Sequence, residues 1–280
     1  MPGADASPKA LCERYGLRPK HHFGQNFLAD QNIARRIARA TKAEGGTVVE
    51  LGAGFGALTR PLLDLPAQVI AVERDRDLVP VLNSEFAAEI AQSRLQVEEA
   101  DAKSIDLASL FEGRPRPHVL AGNLPYQLTG PLLERAVHGA GLLDKAVFLV
   151  QLEVADRLCS AIGLKSYGAL SVFTQAAFEV ARPFVVRSGA FYPQPRVDSA
   201  LVTMTPRDPP LAQETDLFRQ LVRRACEQRR KQLRNAWSGA GGLGSEELAE
   251  RAERAGIDLS RRGETLSVGE FARMARELQP

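Results

Sequence analysis

Apolar residues in this chain gather into short runs, and the stretches between the runs carry apolar positions at helical spacing. The runs Thr47 to Leu51, Val69 to Val72, Arg94 to Val97, His118 to Ala121, Ala146 to Leu152, Val180 to Val186 and Leu201 to Thr205 are short and sharply bounded, as strands are, and Thr47 to Leu51 reads as a buried one. Between them, Asp30 caps a period through Ile33, Ile37 and Ala40, and further helical periods take in Leu58, Leu62 and Leu63, then Arg76 to Ile90, Thr129 or Pro131 through Val137, Val154 with Leu158, and Leu170, Phe173 and Ala177. This alternation predicts an α/β fold. It stops at Pro206-Arg207-Asp208-Pro209-Pro210, beyond which only helical periods remain, from Asp216 to Asn235 and around Leu248 and Phe271. The reading is therefore an α/β domain over 1–207 and a helical domain over 208–280. Residues 1–20, with no apolar period, read as a mobile lead into the basic cluster Lys20-His21-His22.

The ends of the predicted strands carry the candidate chemistry. Gly52-Ala53-Gly54-Phe55-Gly56-Ala57 turns the first strand into a helix, and glycines there let the backbone approach a ligand closely while the helix offers free N–H groups. Read as G-x-G-x-x-A through Gly52, Gly54 and Ala57, with Glu73 21 residues past Gly52, the loop fits a nucleoside cofactor, NAD included. Glu50, directly before the loop, suits a sulfonium and an α-amino cation better than a pyrophosphate, which favours S-adenosylmethionine. Glu73, Asp101 and Asn123 each close a successive strand. A carboxylate at Glu73 can accept from ribose hydroxyls, and one at Asp101 can hold an adenine amino group. Asn123-Leu124-Pro125-Tyr126 sets an amide, a rigid turn and an aromatic side by side, a combination that can hold an exocyclic amino group and stack on its ring. Phe23-Gly24-Gln25-Asn26-Phe27-Leu28 places two further amides, Gln25 and Asn26, just ahead of a helix, and Phe191 opens a Pro-rich loop suited to base stacking.

Composition adds limits more than identity. Of 280 residues, 44% are hydrophobic and 25% charged, the balance of a soluble globular protein. Cys12, Cys159 and Cys226 are scattered and share no ligand spacing with the histidines, which predicts a reduced compartment and no metal. No apolar run reaches a membrane span and no signal segment opens the chain, so a cytoplasmic protein is expected. A net charge of +2 gives no whole-chain preference for nucleic acid. Locally, seven bases against two acids between Asp216 and Asn235 predict a phosphate-binding face, with Arg223, Arg229, Arg230, Lys231 and Arg234 as its candidates.

The segments His22 to Leu28, Glu50-Leu51-Gly52-Ala53-Gly54, Asn123-Leu124-Pro125-Tyr126 and Phe191 to Ser199 occur in this order, and together they resemble the ribosomal RNA adenine dimethyltransferases. Gln228 to Asn235, Gly256-Ile257-Asp258, Leu266-Ser267-Val268 and Phe271 are similar to the tail of the KsgA-type small-subunit enzymes in that family. The resemblance covers nearly everything from Lys20 onward. It implies a class I S-adenosylmethionine-dependent methyltransferase fold, Rossmann-like with a mostly parallel seven-stranded sheet, followed by a small all-helical domain. It also implies S-adenosylmethionine as donor, S-adenosylhomocysteine as product, and two adjacent adenosines near the 3′ end of 16S rRNA in the small ribosomal subunit, each dimethylated at N6. Matching motifs carry over Asn26, Leu28, Gly52, Glu73, Asp101 and Asn123 as donor contacts, to which the residues themselves add Gln25, Glu50 and Gly54.

The catalytic set is Asn123, Leu124, Pro125, Tyr126 and Phe191. The Asn123 oxygen and the Pro125 carbonyl are expected to hold the amino hydrogens, while Tyr126 and Phe191 stack on the base and no strong base is needed. A monomer is expected. Ala53 and Gln127-Leu128-Thr129 depart from the family's more frequent Pro and Asn-Ile-Ser. The erythromycin-resistance methyltransferases share the catalytic motif but modify a large-subunit adenine, and the tail argues against them. An assembly factor that only binds RNA would need the tail and not the strand-end rim.

Overall fold

Every one of the seven apolar runs forms a strand, in a computed structural model that describes residues 6–20 and 23–279. In chain order the strands are β1 (Phe27–Leu28), β2 (Thr47–Leu51), β3 (Gln68–Glu73), β4 (Leu95–Glu99), β5 (His118–Asn123), β6 (Lys145–Gln151), β7 (Phe178–Val186), β8 (Phe191–Tyr192) and β9 (Ser199–Pro206). Seven of them form one sheet in the order β4-β3-β2-β5-β6-β9-β7. The pairs β2 with β3, β3 with β4, β2 with β5 and β5 with β6 are parallel, and β9 runs antiparallel to β6. Central parallel strands are covered on both faces, which is why β2 is buried along its whole length. The chain runs outward from β2 through β3 to β4, then resumes on the other side with β5 and β6. The order thus reverses between β2 and β5, the switch point where open α/β sheets bind ligands beyond the carboxyl ends of the strands.

Three expectations are corrected. Part of the N-terminal lead is a helix, Pro8–Tyr15, capped by Ser7, whose Oγ accepts from the Ala10 N–H at 3.3 Å. Leu11 and Cys12 are buried in a cluster with Phe27, Phe55, Leu78 and Val81, contacts that no local period announces. The His21-His22 part of the basic cluster lies outside the described residues. The single helix expected over Arg76 to Ile90 is two, Val79–Glu85 and Ala87–Ala91, divided at Phe86, whose buried ring lies 4.1 Å from the Arg60 guanidinium carbon. The helical period from Asp216 to Asn235 likewise divides into Asp216–Glu227 and Leu233–Ala236.

The described residues form two compact units. One holds the chain through Ala155 together with Ala181–Pro206, and the other holds Asp156–Val180 with everything from Arg207. Both this division and the expected one change at the Pro206 to Pro210 break, but Asp156–Val180 groups with the helical unit. Its residues Tyr167, Val172 and Ala176 are buried in one cluster with Phe218, Leu221, Val222 and Phe271, all far along the chain.

Candidate active site

Beyond the carboxyl ends of β2 to β5 lies an open cleft lined by residues that follow all four of these strands. Gly52 and Gly54 line it with φ of +74° and +61°, values that side chains disfavour. The Gly54 turn aims its N–H at Glu73, donating to Oε2 at 2.8 Å, while the Arg74 and Asp75 N–H groups donate to Oε1 at 2.9 and 2.8 Å. Burial pushes the Glu73 carboxyl up from the ordinary range, and these three backbone donors oppose it. The group is therefore rigid before any ligand arrives. A Cβ on Gly54 would meet the Phe27 ring at 3.0 Å, so a side chain there would have to displace that ring as well as adopt a strained backbone.

Glu50 is wholly buried at the end of β2, and its Oε2 accepts from the Thr59 hydroxyl at 2.6 Å. Burial raises its pKa, the Thr59 bond opposes and the Glu73 charge adds, leaving it at about 8. A cation bound beside it would favour the ionised form. Asp101 follows β4 and lines the same cleft, its carboxylate held by the Lys103 N–H at 3.0 Å, with Arg74 Nη1 at 3.4 Å and Lys103 Nζ at 3.6 Å.

Asn123 ends β5, and its Nδ2 donates to the Asn26 carbonyl at 2.9 Å. A carbonyl only accepts, so this bond fixes which end of the amide is nitrogen and leaves Oδ1 as a cleft acceptor. Leu124 is 1% exposed, with its N–H on the Leu149 carbonyl at 3.1 Å, so its side chain belongs to the core. The expected role of the Pro125 carbonyl is corrected. It already accepts from the Leu128 N–H at 2.9 Å and the Thr129 hydroxyl at 3.1 Å, which occupy both lone pairs. Among the described residues no donor occupies the neighbouring Leu124 carbonyl. Tyr126 lines the cleft with its hydroxyl 3.1 Å from Ser199 Oγ.

Phe191 is also corrected: it pairs with Leu28 in the β1–β8 ladder, is 5% exposed in the core and does not line the cleft. Gln25 lines the cleft, yet its amide is engaged by Asp75 and by the Lys20 N–H. Sequence reading missed Lys20, Thr59 and Asp75 as parts of the site. The only signal for Asp75 was its place two residues past Glu73. In the helical unit, Arg229 Nη1 donates to the Tyr167 carbonyl at 2.7 Å and Nη2 lies 3.2 Å from Glu264, whereas Arg223, Arg230, Lys231 and Arg234 are exposed.

A seven-stranded, mostly parallel sheet with an antiparallel strand beside β6, a glycine loop after β2 and acids or amides closing the strands at the switch point define a class I methyltransferase. Within that class the chain belongs to the ribosomal RNA adenine dimethylase family, whose description matches residues 16–280. It is 43% identical over 290 residues to ribosomal RNA small subunit methyltransferase A of Anaeromyxobacter sp. (strain K), covering 97% of this chain and 98% of that protein. Its identity to the protein of that name from Geobacter metallireducens is 41% over 269 residues, 94% of this chain and 96% of the other. A dimethyladenosine transferase from Plasmodium falciparum shares the fold with a TM-score of 0.76 at 23% identity, over 89% of this chain and 95% of that one. Among the described residues no helix is long and apolar enough to cross a membrane.

Proposed function

We propose that this enzyme transfers methyl groups from S-adenosylmethionine to N6 of two adjacent adenosines near the 3′ end of small-subunit (16S) rRNA, giving N6,N6-dimethyladenosines. It acts in the cytoplasm, as a monomer, on the small ribosomal particle. The observation that carries the reading is the Asn123 amide, locked by Asn26 with its oxygen as the acceptor at the switch-point cleft. The residues of the cleft fit the donor: Glu73 for the ribose, Asp101 for the adenine amino group, and the buried Glu50 as the acid that a cationic ligand would ionise. When bound, S-adenosylmethionine supplies a methyl group made electrophilic by its sulfonium.

The chain's own task is to present a poor nucleophile well. The lone pair of an adenine amino group is delocalised into the ring. Asn123 Oδ1, together with the Leu124 carbonyl, accepts the amino hydrogens and favours a more localised lone pair, while Tyr126 stacks on the ring. The methylated nitrogen is cationic and readily releases its proton to water, so no strong base is required. Positioning then contributes much of the acceleration.

Replacing Asn123 by Ala is expected to lower transfer by ~10²- to 10³-fold, the range for one preorganised hydrogen-bonding group, with the melting temperature and particle binding retained. N6-dimethyladenosine mapped on small- and large-subunit rRNA after incubation with the parent protein checks the target. Near-parent transfer by Asn123→Ala refutes the base-seating role, and label confined to large-subunit rRNA refutes the substrate.

A further inference from the structure

The segment from Phe23 to Leu28 forms one wall of the cleft, and its two ends are anchored differently. At the far end Phe27 and Leu28 pair with Tyr192 and Phe191, and the Phe27 ring lies 4.6 Å from that of Phe55. At the near end the Phe23 and Gln25 N–H groups donate to the Lys20 carbonyl at 3.1 and 3.5 Å, and side chains tie Lys20 and Gln25 to the turn after β3. Lys20 Nζ reaches Asp75 Oδ1 at 2.5 Å and Asp77 Oδ2 at 2.7 Å. Gln25 Nε2 donates to Asp75 Oδ2 at 2.7 Å, and the Lys20 N–H donates to Gln25 Oε1 at 2.7 Å. Asp75, a carboxylate only 4% exposed, thus has one oxygen engaged by Lys20 and the other by Gln25, and its Oδ1 also accepts from the Asp77 N–H at 3.1 Å. The Asp75 N–H meanwhile holds Glu73 Oε1, so the same residue ties the wall to the acid assigned to the ribose. Gln25 directly precedes Asn26, whose carbonyl receives the Asn123 amide nitrogen.

We infer that Lys20, Gln25 and Asp75 are positioning residues for methyl transfer: they clasp the Phe23–Leu28 wall against the cleft and thereby hold the Asn26 carbonyl where it fixes the Asn123 amide. The inference rests on the reading of Asn123 as the group that seats the amine. If the clasp opens, the Asn26 carbonyl withdraws and the Asn123 amide is free to rotate. An amide turned about presents its NH₂ to the substrate amine, two donors facing each other, and the acceptor is lost. The wall also closes the side of the donor site formed by Phe23, Gly24 and Asn26, so opening speeds donor release. Electrostatics support the same arrangement. Hydrogen bonds to Asp75 and then to Asp77 raise the Lys20 pKa, and although burial opposes it, the Lys20 bond helps hold the Asp75 carboxyl below the ordinary carboxylate range.

The test compares the parent with Lys20→Met and Gln25→Met, which keep the side-chain stems, and with Lys20→Arg, which restores the cation. Four quantities are measured: melting temperature, the dissociation rate of S-adenosylmethionine, kcat at saturating donor, and KM for small-subunit particles. Both Met variants are expected to lose at least about tenfold in kcat and to release the donor at least about tenfold faster, Gln25→Met losing one bond to a carboxylate and Lys20→Met two. Their particle KM stays within about twofold and they remain folded at the assay temperature, with a lower melting temperature for Lys20→Met, while Lys20→Arg recovers most of the losses. A rise in particle KM with unchanged kcat and donor release makes Lys20 an RNA contact and overturns the inference. A fall in melting temperature with unchanged kinetics makes the cluster a stabilising device and overturns it too, as do parental values throughout. If the parent itself transfers no methyl group, the proposed function fails, and the donor dissociation rates still decide whether the clasp exists.

Discussion

At the scale of single residues, the site depends on two acids kept out of water beside each other. Glu50 has an ordinary carboxyl pKa in the unfolded chain and one of about 8 when folded, so folding binds a proton there. Its neutral form is the one the fold accommodates, and stability is complete below the unfolded value of 4.5 and declines as pH rises toward about 8. Glu50→Gln cannot ionise. The variant is therefore expected to melt above the parent by a margin that widens between pH 5 and 8, worth up to a few kcal/mol, while binding S-adenosylmethionine more weakly. Melting curves at a series of pH values check this, and parallel curves for the two proteins would show that Glu50 titrates alike folded and unfolded. The acids and the amide at the rim were legible in the sequence because each closes an apolar strand. Which oxygens already had partners was not. Gln25, Pro125 and Phe191 look available in a sequence and are committed in the fold by Asp75, by Leu128 with Thr129, and by Leu28.

At the scale of elements, the helix Val268–Glu277 shows local sequence and local structure agreeing. Ser267 Oγ accepts from the Glu270 N–H at 3.2 Å, and Glu270 Oε2 accepts from the Ser267 N–H at 2.7 Å, a reciprocal cap that satisfies two otherwise orphaned donors. Burial pushes the Glu270 carboxyl up, but the Arg261 guanidinium and the two Ser267 bonds outweigh it and bring the pKa to about 2. The stability this contributes is present above the unfolded value of 4.5 and is lost as pH falls through about 2. Ser267→Ala is expected to cost about 1 kcal/mol near neutrality. Glu270→Gln is expected to cost a similar amount, with the deficit closing as pH approaches 2, as urea titrations at several pH values would reveal. The two-residue pair β1–β8 is the opposite case. Four residues with no period of their own pair only because the rest of the unit brings them together.

For the whole molecule, the basic residues of the tail separate into two kinds. Arg229 is engaged by the Tyr167 carbonyl and Glu264, while Arg230, Lys231 and Arg234 are exposed. Replacing those three exposed residues together by Gln is expected to weaken binding to small-subunit particles and to flatten its log–log salt dependence by about 0.7 to 0.9 per lost phosphate contact. Arg229→Gln is expected to leave that slope unchanged and to lower stability by about 1 kcal/mol. Binding isotherms across a salt series, with melting curves alongside, distinguish the two, and an unaltered slope for the triple variant would return the cluster to a solvated face.

By itself the sequence determined the seven strands, their alternation with helices, the glycine loop and the acids and amide that close the strands. Each of these follows from a short-range pattern, because burial on both faces of the central parallel strands forces unbroken apolar runs, as in β2, and a turn beside a ligand requires glycine. Only the tertiary structure decided that Asp156–Val180 joins the helical unit, that the N-terminal segment folds as a helix against Phe27 and Phe55, and that Asn26 orients Asn123 from 97 residues away. These depend on which buried groups meet across the fold. A hydrogen-bond donor or an apolar face specifies the kind of partner it needs, and the packing of the sheet selects the partner.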